Sequence, residues 1–171
     1  YRRGAEKFRW NARNAAPRYQ RDGKWLVGQG VATAYYPYLR LPAKARVRVC
    51  ADGSAILQTP GNEMGMGLAT TQIQIAADRL GLPPDRITFQ YGDSGLPDTP
   101  ILAGGSNQTA TIAAAVLVAV DQLHRELLKL AQKRPDSPLA GAKYEEVEAH
   151  DSGLFRCADK GRGETYSAIL Q

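Results

Sequence analysis

Cysteine is scarce in this sequence. Cys50 and Cys157 are far apart, with no CxxC pair and no Cys/His cluster beside them, so the pattern contains no zinc or iron–sulfur ligand set. Lone thiols of this kind are expected to be small buried residues. Long hydrophobic runs are missing too. The longest, "IAAAVLVAV" at 112–120, is less than half of the roughly 20 residues a helical membrane span needs, and no basic-then-apolar leader opens the chain. The sequence therefore reads as soluble, without a membrane span. His124 and His150 have no acidic or nucleophilic partner at an informative spacing, which leaves no visible catalytic triad. No repeat of 20–50 residues is present, and the phosphate fingerprints GxxxxGK[ST] and GxGxxG are absent.

What the sequence does contain is enough apolar material for a core: 171 residues, 43% of them hydrophobic. Residues 1–171 fit a single domain or part of one. The start at Tyr1, without an initiator methionine, reads as an excised or processed chain. The net charge is +5, and the excess gathers in a basic N-terminal segment, 1–24, where Arg2, Arg3, Lys7, Arg9, Arg13, Arg18, Arg21 and Lys24 face only Glu6 and Asp22. Phe8, Trp10 and Tyr19 are interleaved with these bases. A solvated arm, or a surface meeting another part of the protein, is the expected role. Docking on nucleic acid or on an acidic protein, as a non-catalytic binding module, is the alternative.

Local patterns predict the elements. "YRRGAEKFRWNARN" predicts a short helix, and "WLVGQGVATAYYPY" a strand interrupted at Gly28 and Gly30. "ARVRVCADGSAILQT" predicts a hairpin turning at Asp52-Gly53. Over 67–80 the apolar period becomes helical, with Ile73, Ala76, Ala77 and Leu80 on one face and Gly81 and Pro83 as the stop. "DRITFQYGD" predicts a strand. A Gly/Pro/Asp loop at 92–105 leads to a long helix at about 107–133, apolar on nearly every side through Val120 and therefore expected to be buried there, then striped by Leu123, Leu127 and Leu130. "KYEEVEA" and "GLFRCA" predict a second hairpin, and "TYSAILQ" a helix start. Irregular alternation and an antiparallel hairpin point to an α+β fold with a mixed or antiparallel sheet and long buried helices.

Twice a glycine-bearing loop opens a helix, at "GNEMGMG" (61–67) and at "AGGSNQT" (103–109). Unpaired amides at a helix start suit anions, and glycine lets the backbone approach a ligand closely. Local turn geometry with Ser106 or Thr109 as a helix cap is the other reading of such a loop. Glu63 is expected to act as a local hydrogen-bond acceptor.

The order of these motifs resembles the large molybdenum-binding subunit of the xanthine dehydrogenase and aldehyde oxidase family. The resemblance rests on the DG hairpin, an E-M-G-x-G loop, a Q-I-A-A-x-x-L-G-(I/L)-P helix, a strand, a T-P loop and a G-S-x-x-T loop opening an Ala-rich helix. "GAEKFRW" and "GQGVATA" extend the likeness over residues 1–38.

The resemblance implies one lobe of a molybdopterin-binding domain, with Gly65, Met66, Gly67, Gly105, Ser106, Asn107 and Gln108 facing a molybdenum pyranopterin dinucleotide, in its cytosine form. It also implies iron–sulfur and flavin groups on partner subunits or domains, the remainder of the molybdenum subunit as a further partner, and oxidation of a small aldehyde or N-heterocycle with water as oxygen source. No catalytic residue and no metal ligand is expected within this stretch, and alone it is expected to be inactive and to hold no cofactor. Two departures stand out: Met66 replaces a Gln that is common in the family, and Gln108 occupies a position where small residues are frequent. Gly163-Glu164 resembles the family's G-E base motif, but with "TYSAIL" following it Glu164 reads as an acidic first-turn residue.

Overall fold

The computed structural model describes residues 1–36, 39–97 and 102–171. The Thr99-Pro100 loop of the family pattern lies outside the described residues. The chain divides into two compact units, Tyr1–Pro37 and Tyr38–Gln171.

The first unit holds a short helix α1 (Arg2–Lys7), a single turn of tighter helix at Trp10–Ala12, and a minimal hairpin of β1 (Arg21–Asp22) and β2 (Trp25–Leu26). Its side chains lie mostly at the surface. The Arg13 guanidinium sits 3.5 Å from the Trp10 ring centre, and Tyr1 donates to Thr33 Oγ1 at 3.2 Å. Of the strand expected over 25–38, the described residues form only Trp25–Leu26, because Gly28 and Gly30 leave the backbone that follows, through Tyr36, without a ladder.

In the second unit, β3 (Arg46–Val49) and β4 (Ala55–Gln58) form the expected antiparallel hairpin. Gly53, at φ +79°, makes its turn. Helix α2 (Leu68–Leu80) crosses over to β5 (Ile87–Gln90), which pairs parallel to β4, so the sheet is mixed. Gly81, at φ +63°, ends α2 as the sequence indicates. The buried face of α2 is Leu68, Gln72, Ala76, Ala77 and Leu80, while Ile73 is only half-buried. A glutamine thus takes a core position that the apolar pattern gave to isoleucine.

Helix α3 (Gln108–Ala131) buries Ile112, Val116, Val120, His124, Leu127, Leu128 and Ala131. Its first half is not enclosed all round: Leu117 is 41% exposed and Val118 58%. Nor is the later stripe the expected one, since Leu130 lies at the surface and Leu128 inside. A second sheet, order β6-β7-β8, consists of β6 (Val147–His150), β7 (Gly153–Arg156) and β8 (Asp159–Thr165), all antiparallel. Helix α4 (Tyr166–Leu170) closes the chain, capped by Thr165. Leu57, Leu68, Leu80, Ile112, Val116, Leu154 and Tyr166 join both sheets and the three helices in one core. The fold is α+β, as the sequence predicts.

Candidate functional site

The loop at 61–67 is organised by a carboxylate. Glu63 Oε1 accepts from the amides of Gly65 at 2.7 Å and Gly67 at 3.1 Å, and Oε2 accepts from Leu68 at 2.5 Å. Partial burial raises the Glu63 pKa, but these amides, together with that of Ala69, outweigh it and hold the group below its ordinary value. Glu63 is therefore ionised at neutral pH and serves the start of α2 from within the chain.

Glycine is required here for two separate reasons. Gly65 and Gly67 adopt φ of +102° and +73°, with no atom within 4 Å of where a β-carbon would sit, so backbone conformation and not crowding selects them. At Gly61 the reverse holds. A β-carbon there would lie 2.6 Å from Ile112 Cδ1 and 2.7 Å from Leu68 Cδ2. Gly61, not singled out by the sequence motif, is where this loop presses onto the starts of α2 and α3. Met64 and Met66 project outward, 63% and 40% exposed.

The second loop is built differently. Gly105 and Ser106 both take positive φ, +61° and +54°, immediately before Asn107 begins the helix. Among the described residues no side chain caps α3, so no carboxylate there takes its first amides as Glu63 does at α2. Asn107 is 1% exposed, yet among the described residues neither its Oδ1 nor its Nδ2 has a partner. Gln72, from α2, donates to the Thr109 carbonyl at 3.0 Å and leaves its own Oε1 unpaired. Buried amides are normally satisfied, so these orphaned atoms mark a place where polar partners are missing.

The two loops meet through Gln108 and Asn62. The Gln108 amide lies 2.7 Å from Asn62 Oδ1. Turned over, the same amide donates to the Asn62 carbonyl at 3.0 Å and accepts from the Asn62 amide at 3.2 Å, and either orientation ties the loops together. Of the residues predicted from sequence, Asn107 and Gln108 are thus buried at the junction, while Gly65, Met66, Gly105 and Ser106 line the exposed side. Glu63, Asn62, Gly61 and Gln72 complete the arrangement; only Glu63 had a signal in the sequence, its position just ahead of the glycines.

Other features lie elsewhere. A surface concavity of about 710 Å³ at Gly81, Pro83 and His150 has no lining residue from either loop. Among the described residues, no three His, Cys, Asp or Glu side chains are grouped to hold a metal ion, and no helix is long and apolar enough to cross a membrane. Glu164 is not in a helical first turn. It lies on β8, where its carboxylate pairs with Arg134 and accepts from Ser137 Oγ at 2.6 Å. The cysteines are not both buried: Cys50 is half-buried and Cys157 exposed.

Comparison with known proteins gives a consistent result. The family model described as "Molybdopterin cofactor-binding domain" matches residues 3–171. Over 107 residues the chain is 39% identical to the aldehyde oxidoreductase molybdenum-binding subunit of Escherichia coli, covering 63% of this chain and 14% of that protein. It is 31% identical over 121 residues to a nicotinate hydroxylase of Emericella nidulans, covering 70% of this chain and 9% of that protein. The fold is similar to reconstituted CO dehydrogenase from Oligotropha carboxidovorans, with TM-score 0.62 and 22% identity over 75% of this chain and 15% of that one. The chain therefore spans a small part of the relatives it matches. The match takes in the basic N-terminal segment, which disfavours reading that segment as a separate docking arm.

Proposed function

Because this chain belongs to the molybdopterin cofactor-binding domains of the xanthine dehydrogenase and aldehyde oxidase family, we propose that it supplies one cofactor-facing lobe of an enzyme that oxidises an aldehyde or an N-heterocycle with water as the oxygen source. The supporting observation is Asn107, buried at an uncapped helix start with both amide atoms unpaired. An anionic, hydrogen-bonding ligand fits that place. The start of α2 fits less well, since Glu63 already takes its amides.

In this reading Ser106, Asn107 and Gln108 hold polar edges of the molybdenum pyranopterin dinucleotide. Gly65 and Gly67 keep the facing turn free of side-chain bulk, and Met66 forms an adaptable wall beside it. When bound, the cofactor supplies the two-electron acceptor for the oxidation. The chain's residues bind and orient it and shield it from water. Iron–sulfur and flavin groups on partner subunits or domains carry the electrons away, and the remainder of the molybdenum subunit provides the catalytic base and the opposite wall of the site. That relatives are an aldehyde oxidoreductase "molybdenum-binding subunit" and a carbon monoxide dehydrogenase "large chain" supports an assembly of several chains. Residues 1–171 alone, offering half of a pocket, hold no cofactor and turn over nothing.

The test is to purify the protein carrying this domain from a host that makes the cofactor, release the nucleotide by acid hydrolysis, and follow ¹⁸O from labelled water into product. Cytidine monophosphate in step with molybdenum, and label in a carboxylate or ring-hydroxylated product, are expected. A protein free of pterin, or product without label, contradicts the reading.

A further inference from the structure

Both helix starts at the candidate site are surrounded by glycine, but among the described residues only that of α2 holds a negative charge of its own. Glu63 engages Gly65, Gly67 and Leu68 with both carboxylate oxygens. These are amides a helix start presents to anions. At α3 the residue at the helix start is Asn107, neutral and buried, with its side-chain amide unpaired among the described residues.

We propose that Glu63 is a built-in anion that closes the start of α2, so that the anionic groups of the cofactor are received at the start of α3 alone. This rests on the reading of the site as a molybdopterin site. A second anion at the start of α2 would find its donors occupied and an ionised carboxylate beside them. The same three bonds form the Gly65-Met66-Gly67 turn before any ligand arrives. They fix the backbone on both sides of Met66 and leave its side chain, 40% exposed, as what the turn presents to a ligand. Glu63 is a positioning residue in this scheme, acting through Met66 and through the exclusion of a competing anion.

The experiment is hydrogen exchange on the peptide covering residues 61–70, in cofactor-free protein from a host unable to make the cofactor, with and without inorganic phosphate. Wild-type amides are expected to be protected and indifferent to phosphate. In Glu63→Ala the three amides should exchange about tenfold faster or more, and phosphate should restore part of the protection. Glu63→Gln, which keeps the shape but loses the charge, should fall between the two. If Glu63→Ala speeds exchange throughout the chain and so unfolds it, the same comparison is made with Glu63→Gln. Phosphate protection of the wild-type peptide, or exchange in the variants equal to wild type, overturns the proposal. Neither readout needs molybdopterin. Failure of the wider function would leave the pattern in place, whereas failure here leaves molybdenum content in loaded protein unaffected.

Discussion

His124 Nε2 lies 3.0 Å from the Tyr166 hydroxyl, and that hydroxyl donates to the Leu80 carbonyl at 2.7 Å. With its proton committed to Leu80, Tyr166 accepts from Nε2–H, so one buried bond sets the histidine tautomer and links α2, α3 and α4. Burial raises the Tyr166 pKa and holds it in the protonated form this requires. Burial also lowers the His124 pKa to about 4 from 6.5, with the Arg79 charge adding to the effect and Asp121 opposing it.

The sign of the resulting pH dependence follows. The unfolded chain takes up a proton near 6.5 that the folded protein refuses until about 4, so stability from this group is full above 6.5 and is lost as pH falls toward 4. The loss is about 3 kcal/mol. Urea unfolding midpoints at pH 7 and pH 4.5 should show a steeper fall in wild type than in His124→Gln. Equal slopes would remove His124 from the account.

Gly61 and Gly67 should fail for different reasons. Gly61→Ala drives a methyl against Ile112 and Leu68 and should cost about 1–3 kcal/mol, with local rearrangement of the loop. Gly67→Ala meets no neighbour and should cost about 1 kcal/mol through its positive φ alone. Thermal unfolding of the pair measures the order, and a neutral Gly61→Ala would contradict the close approach.

Helix α2 and the first hairpin were legible in the sequence because their signals are local: period, an Asp-Gly turn, and a Gly81/Pro83 stop. The second hairpin was legible for the same reason. Strand β8 was not, since "DKGRGE" carries glycine and charge in place of alternation and is held by pairing with β7. Gln72 reads as a polar position and is buried only because α3 crosses over it. At the candidate site the glycines were visible, as was Glu63 as a local acceptor. The orphaned amide of Asn107 and the Gln108–Asn62 link were not, because burial of a polar cap has no local signal and the link joins segments more than 40 residues apart in sequence.

Glu164→Gln should destabilise the second sheet without removing a catalytic group. The Glu164 side chain is 11% exposed and is shared by Arg134 and Ser137. Weakening a charged acceptor of this kind costs about 1–2 kcal/mol, discounted by the exposure of Arg134. Turnover per bound molybdenum at permissive temperature should stay near wild type. Abolished turnover with intact cofactor would place the base at Glu164.

Gln108→Leu removes the tie between the loops while keeping a buried side chain of similar size. The peptide at 61–66 should exchange hydrogen several-fold faster, for a loss of about 1 kcal/mol in local stability. Unchanged exchange would show that the loops hold their places independently.

The most direct test of the central claim is the molybdenum-to-protein ratio of Asn107→Leu in the protein that carries this domain, made in a cofactor-producing host, with circular dichroism as a check on the fold. An apolar side chain relieves the orphaned amide and should leave the fold intact or slightly stabilised, yet it removes the polar partner at the start of α3. The account predicts a folded protein with molybdenum reduced about tenfold. Wild-type occupancy in a folded Asn107→Leu protein would contradict it.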